Sequence, residues 1–387
     1  DIDAGGGDDE YDELALELIA GAIDMRAPED QVALRGRRRS VARLVRHDVG
    51  LHTPPKSPYR VTLAERGSFD QLSFATLERR SPLDGEVEIE VRASGINFRD
   101  VLNVLGMYPG NPGLPGLECA GIVTAVGSGV RDLAVGDAVF GIAPQAFDSH
   151  VVTQADLVVL KPSTITFAEA ATLPIAFLTA EYGLSTLAGL QRGETVLIHA
   201  AAGGVGMAAV SLAQRLGAEV FATVGSARKR RTLEALGVTH IYDSRTLDFA
   251  EQILADTDGK GVDVVLNSLA DEFIDRSFRS LAQAGRFLEI GKRGIWSAEQ
   301  AAAVRPKGRY HVYDLSDFFI ADRNGVQVSL QGVADGIADG SIAPLPLRAF
   351  SIQAIRDAFR FVAQARHIGK VVLTHRAHGP LVRDDGA

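Results

Sequence analysis

The chain has 387 residues, a formal net charge of −9 at pH 7 and one cysteine; its 41.2 kDa suits two domains better than one. Hydrophobic residues at 46% and charged residues at 23% exclude a disordered or fibrous chain. The acidic balance argues against a nucleic-acid binder, which needs a clustered basic face. Cys119 alone makes no intrachain disulfide, which fits a reducing, cytoplasmic setting. No apolar run reaches the roughly eighteen residues of a membrane span, so no membrane association is expected.

The first ten residues are rich in Gly and Asp and lack the blocks of a signal peptide. With no initiator Met, the chain reads as a piece of a longer polypeptide. Residues 12–23 carry Leu14, Leu18 and Ile19 at helical spacing. Residues 31–34 and 41–45 flank a turn at Arg35-Gly36-Arg37 and read as a hairpin. The cations Arg37, Arg38 and Arg39 read as a solvated turn rather than a nucleic-acid patch. Pro54, Pro55 and Pro58 mark a linker.

From Tyr59 short strands such as 87–91 alternate apolar and charged residues between Gly and Pro turns. That texture runs to about Pro162 and predicts a β-rich, barrel-like domain. Phe167 onward turns helical. Residues 194–199 then form an apolar strand of the kind buried in parallel sheets. Further strands are expected at 219–224, 240–242, 262–267, 285–290 and 310–314. Helices lie between them, as at 205–216 and 227–236. This alternation predicts a doubly wound α/β domain of the Rossmann kind. Two more helices follow Asp322, with strands at 347–351 and 370–374.

The segment His199-Ala-Ala-Ala-Gly-Gly-Val-Gly-Met207 stands after a buried strand and before a helix, where a phosphate-binding turn belongs. Ala201, Gly203 and Gly206 take the three places of G-x-G-x-x-G. Gly203 admits the pyrophosphate and Gly206 lets helix and strand pack closely. Ala201, Gly203, Gly204, Val205 and Gly206 are therefore the candidate pyrophosphate contacts, with the helix N-terminus favouring the anion. The next strand ends in Gly225-Ser-Ala-Arg-Lys-Arg-Arg231, with cations and no carboxylate. NAD enzymes place an acidic residue there. Ser226, Lys229 and Arg230 are assigned to a 2′-phosphate, so the expected cofactor is NADPH. His199 closes a buried strand and is read as a structural histidine.

These residues, with Gly95-Ile-Asn-Phe-Arg-Asp100, Gly113-Leu-Pro-Gly-Leu-Glu-Cys-Ala-Gly121, Leu105-Gly-Met-Tyr-Pro-Gly110, Glu289-Ile-Gly-Lys292 and His367-Ile-Gly-Lys-Val371, resemble the medium-chain dehydrogenases/reductases. The specific match, over about residues 59–374, is to enoyl reductase domains of modular polyketide synthases and animal-type fatty acid synthases. The resemblance implies a GroES-like substrate domain at 56–178 and 320–377 and an NADPH-binding Rossmann domain at 179–319. Residues 1–55 resemble the end of a ketoreductase structural subdomain, and 378–387 are a tail. Members of the zinc branch carry Cys at the place of Asn97 and His at that of Leu117. Neither ligand type is present, and one cysteine cannot build the structural zinc lobe, so no metal is expected.

In the implied reaction NADPH gives hydride to C3 of a trans-2-enoyl thioester, and the resulting enolate is stabilised and protonated at C2. The thioester would sit on an acyl carrier protein, with ketoreductase and dehydratase domains as neighbours in the same polypeptide. Lys292 follows a strand at the carboxyl end of the sheet and is the first candidate donor; an exposed loop lysine is the other reading. Asp314, at the end of the next strand, either pairs with Lys292 or caps the following helix. Tyr108 either donates to the enolate or packs in its turn. In the resembling domains a Tyr here accompanies a 2S methyl branch. By family position Asn97 and Thr179 line the pocket. Asn267, Ser268 and Leu269 meet the nicotinamide ribose, and Ile290, Gly291 and Lys370 are further cofactor contacts. A free-standing quinone or alkenal reductase and a non-catalytic NADPH-binding scaffold are the alternatives.

Overall fold

The computed structural model describes residues 58–375 other than Asn111, with Pro54 and the backbone of residues 32–35 and 38–41. The helix expected at 12–23 and the tail at 378–387 lie outside the described residues. The chain divides into two units, Asp1–Leu51 with Ala377–Ala387, and His52–Arg376. In the first, β1 (Val32–Arg35) and β2 (Arg38–Val41) form an antiparallel hairpin. Arg35 pairs directly with Arg38, so the return strand starts at Arg38 and ends at Val41, the residue where the sequence pattern has it begin.

The second unit opens with the hairpin β3 (Tyr59–Leu63) and β4 (Leu72–Thr76). A sheet follows from β5 (Glu86–Ile96), β6 (Glu118–Val126), β7 (Ala138–Ile142), β8 (His150–Gln154) and β9 (Val158–Leu160). Strand β5 is eleven residues long and pairs with β6, with β8 and with a strand from the far end of the unit. Its Val87, Ile89 and Val91 face one core while its charged residues bond outward.

The parallel sheet contains β10 (Thr195–Ile198), β11 (Glu219–Val224), β12 (His240–Asp243), β13 (Val262–Asn267), β14 (Leu281–Glu289) and β15 (Arg309–Val312). Its order is β12-β11-β10-β13-β14-β15, all parallel. This is the doubly wound arrangement, with a ligand crevice at the carboxyl ends where β10 and β13 diverge. Its central strands are buried on both faces, which is why they read as unbroken apolar runs. Strand β15 stops at Val312, short of the expected 314. Asp314 instead has extended backbone angles and accepts the Ser316 N–H, capping the helix Leu315–Ala321.

The last two strands, β16 (Leu347–Ser351) and β17 (Lys370–Thr374), return to the first sheet, where β17 pairs with β5. His375, just past β17, ties this return to β3 and β5. Its Nδ1 meets the Tyr59 hydroxyl at 2.8 Å and its Nε2 meets Ser94 Oγ at 2.9 Å. Between the sheets the helix Pro174–Glu181 runs into a widened turn, Tyr182–Leu187. The Tyr313 hydroxyl donates to the Thr179 carbonyl at 3.0 Å, and any side chain at Gly183 would strike that hydroxyl. Such widened turns gather at functional sites.

Candidate functional site

At the phosphate turn, β10 leads into the helix Gly204–Leu216 with Gly203 as its cap. The N–H groups of Gly204, Val205 and Gly206 are the first of that helix and have no intrahelical acceptor. At Gly203 an added Cβ would meet only the Ala200 carbonyl at 3.2 Å, so the outer face of the turn is open to an anion. At Gly206 it would lie 2.6 Å from the Ala200 oxygen and the Ala201 Cα, so the helix can pack here only with glycine. Ala201 is buried, and its N–H bonds the Thr223 carbonyl. His199 below it is sealed between Thr223 Oγ1 (2.9 Å) and Ser277 Oγ (2.8 Å), and burial holds its imidazole down at about 3. It is a neutral structural residue.

The turn is stitched to the other sheet. Gly369 bridges to Gly203, and its N–H bonds Ala202 O at 2.9 Å. The Lys370 stem fills the space beside Gly204, where a Cβ would meet its Cδ at 2.6 Å. The Lys370 ammonium, on a residue only 4% exposed, donates to Glu118 Oε1 at 2.5 Å and to Asn97 Oδ1 at 2.7 Å. Asn97 Nδ2 donates to the same Glu118 oxygen, and the other carboxylate oxygen takes the Ile175 N–H, each at 2.8 Å. Asn97 and Lys370 are thus both tied to Glu118. A cation already fills the place beside Asn97. Among the described residues no three His, Cys, Asp or Glu side chains are grouped to hold a metal.

At the end of β11 Ser226 caps the helix Ala227–Ala235 by accepting the Lys229 N–H. The Lys229 ammonium reaches the Ala365 carbonyl at 2.8 Å; burial, then the Arg245 charge, lower its pKa. Arg230 sits one residue further along the same helix. Arg245, whose Nε lies 3.4 Å from where a Gly225 Cβ would be, is a cation that sequence reasoning misses. Ser244 lines a cavity of about 330 Å³ with Leu269 and Phe273 beside this corner. His367 Nδ1 is buried without a hydrogen-bond partner near Lys229 and Lys370; burial, then those charges, hold this imidazole down at about 4. An open glycine turn, with Lys229 and Arg245 near one another at the end of the next strand, fits a dinucleotide.

The three catalytic candidates meet. The Tyr108 hydroxyl donates to Asp314 Oδ2 at 2.6 Å, and Lys292 Nζ lies 3.0 Å from the same oxygen. Lys292 also donates to the Tyr313 carbonyl at 3.3 Å. Arg99 carries no role in the sequence analysis although it sits inside the Gly95–Asp100 motif. It lies 3.6 Å from Asp314 Oδ1 and covers the Tyr108 ring at 4.8 Å. Both expectations for Asp314 hold together: one oxygen caps the helix and the other gathers the donors. Burial alone would raise its pKa, but the Tyr108 hydroxyl, the Ser316 N–H and the Lys292 charge outweigh burial and hold it well below the usual range. Burial, then the Asp314 bond, push Tyr108 up to about 12, so it stays a phenol.

The remaining candidates stand at the ends of β13 and β14 and on the helix Pro174–Glu181. Ser268 is exposed and Leu269 half-buried at the end of β13. Asn267 is fully buried, its side chain spent on the Leu269 backbone and on Glu289. It shapes the loop rather than lining it. Ile290 and Gly291 carry the chain from β14 to Lys292; Gly291 has no room for a side chain because Glu289 Oε1 would lie 2.6 Å from it. Thr179 is 9% exposed in the helix wall.

A GroES-like sheet joined to a parallel dinucleotide sheet, with a glycine turn and a Lys–Asp–Tyr cluster, defines a nicotinamide-dependent oxidoreductase of the medium-chain dehydrogenase/reductase class. The alcohol dehydrogenase GroES-like domain matches residues 83–178, and the zinc-binding dehydrogenase domain matches residues 236–373. The CurK enoyl reductase structure is 45% identical with a TM-score of 0.79, over 82% of this chain and 99% of that one. The phenolphthiocerol synthesis polyketide synthase type I Pks15/1 of Mycobacterium marinum is 45% identical over 93% of this chain, which spans 17% of that protein. The quinone oxidoreductase of Escherichia coli, solved with NADPH, is 28% identical with a TM-score of 0.75, over 82% of this chain and all of that one. The chain belongs to the enoyl reductases of modular polyketide synthases.

The junction generates a prediction. Lys370→Met leaves Glu118 buried without its cation and should cost about 3–5 kcal/mol of stability. Adding Glu118→Gln should recover much of that loss. Denaturant unfolding of the three proteins measures it; a single variant as stable as the parent would show that the pair does not hold the junction.

Proposed function

We propose that this chain reduces a trans-2-enoyl thioester carried on an acyl carrier protein, using NADPH. The convergence of Lys292, Tyr108 and Arg99 on Asp314 carries the reading. Bound NADPH would supply hydride from nicotinamide C4 to C3 of the acyl chain. The glycine turn would hold the pyrophosphate, and Ser226, Lys229, Arg230 and Arg245 the 2′-phosphate. Charge then grows on the thioester oxygen, and donors fixed in advance stabilise it better than water can. Lys292 is the donor, aimed by the ionised Asp314. Asp314, held below the usual range, stays an anion that accepts hydrogen bonds in this cluster and is not the acid. Tyr108 keeps its proton across the neutral range and would turn from Asp314 to give it to C2 or to the enolate oxygen. The zinc-free chemistry thus uses two organic donors in place of a Lewis acid.

The membership of related chains in large synthases supports neighbouring domains in one polypeptide, here proposed to be a ketoreductase and a dehydratase. The domain limits expected from the sequence belong to this proposal. No described helix is long and apolar enough to cross a membrane; a cytoplasmic site is part of the proposal.

NADPH should be oxidised with a crotonyl thioester of pantetheine, faster than NADH is and with little turnover of a simple quinone. Lys292→Ala should lower kcat by about a hundredfold or more, the scale of removing one positioned donor. Turnover of the quinone alone would replace this reading with a free-standing quinone reductase. On a 2-methylenoyl thioester the product should be 2S by chiral chromatography; a 2R product would remove Tyr108 from the role of stereochemical donor.

A further inference from the structure

Glu289 ends β14 with no exposed surface, directly behind the site. Its two carboxylate oxygens face two different loops. Oε1 accepts the Gly291 N–H and Oε2 accepts Asn267 Nδ2, both at 2.6 Å. Asn267 in turn closes its own loop, donating to Leu269 O at 2.9 Å and accepting the Leu269 N–H at 3.2 Å. The backbone of Glu289 reaches the third element, since its carbonyl takes the Tyr313 N–H at 3.1 Å. Lys292, three residues on, donates to the Tyr313 carbonyl and pairs with Asp314. The loop that carries Lys292 and the residue Tyr313 that accepts from it therefore both touch Glu289.

We propose that Glu289 is a positioning residue for the reduction: its carboxylate clamps loop 267–269 to loop 290–292 and thereby holds Lys292 against Asp314. The proposal rests on the reading of Lys292 as the donor to the substrate. A carboxylate in this place is costly. Burial pushes it up to about 7, against the pull of the Asn267 and Gly291 donors and the Lys292 charge. An apolar residue would fill the volume without that cost, and a glutamine would satisfy only one of the two donors. What the ionised group alone offers is two acceptors facing two N–H donors at once.

Glu289→Gln tests this directly. Its amide oxygen can take the Gly291 N–H, but its NH2 then faces the NH2 of Asn267, so one bond is lost and the loops part. Adding Asn267→Asp to Glu289→Gln reverses the pair. The amide oxygen at position 289 keeps the Gly291 N–H, and its NH2 donates to the new carboxylate at position 267, which still accepts the Leu269 N–H.

Two readouts are needed: steady-state kinetics with NADPH and crotonyl pantetheine thioester, and hydrogen exchange of the backbone at 267–271 and 290–293. The single variant should lose about tenfold in kcat with KM within about twofold, since the substrate still binds while the donor is misplaced. Exchange should quicken in the two loops and not elsewhere. The reversed pair, which regains the 289–267 bond but gives up the bond to the Leu269 carbonyl, should recover part of the lost kcat and part of the loops' protection. A single variant with parental kcat and parental exchange overturns the proposal, as does a reversed pair no better than the single variant on both readouts. If the parent itself reduces no enoyl thioester, the functional reading falls. The exchange data then still decide whether Glu289 clamps the loops: no change on Glu289→Gln ends that claim too.

Discussion

The buried ion pair between Lys370 and Glu118 is the constraint on which the rest depends. The two residues stand on β17 and β6, far apart in the chain, and neither has much exposed surface. A buried charge is tolerated only with full pairing. Here the carboxylate oxygens take the ammonium, the Asn97 amide and the Ile175 N–H, so the end of β5 and the start of the helix Pro174–Glu181 are fixed by the same group. The Lys370 stem lies on the phosphate turn, and Gly369 pairs with it. One electrostatic knot therefore sets the GroES-like sheet, the connecting helix and the nucleotide turn against each other.

From this knot the cluster around Asp314 follows. The segment after β5 contributes Arg99, in the helix Phe98–Val104, and Tyr108 beyond that helix. The parallel sheet contributes Lys292 after β14 and Asp314 after β15. The four side chains come together only because the two sheets are held in register with one another. Within the cluster charge is balanced toward the positive: two cations and a phenol surround one carboxylate. That is the polarity a growing enolate calls for.

The fold is legible from the sequence because its signals are local. Alternation marks the strands of the first sheet, and unbroken apolar runs mark β10, β11 and β13. The glycine turn announces itself by position. Lys292 and Asp314 can be placed side by side because parallel strands align their carboxyl ends. What stays hidden depends on distant residues. Nothing near Glu118 shows that its partner is Lys370, and nothing near Arg99 shows that it will cover Tyr108. Arg245 stands a strand away from the Ser226–Arg231 segment it joins. Asn267 is expected to line the ribose site, because a strand-end polar residue commonly does; Glu289, buried 22 positions later, draws its side chain inward instead.

The central claim is a hydride transfer followed by a separate protonation. The most direct measurement is the fate of deuterium carried on C4 of NADPH, with the crotonyl thioester reduced in ordinary water and again in heavy water with unlabelled cofactor. With both C4 hydrogens of the labelled cofactor replaced by deuterium, the account predicts one deuterium at C3 in the first product and one at C2 in the second. Label absent from C3, or solvent deuterium at C3, would contradict it.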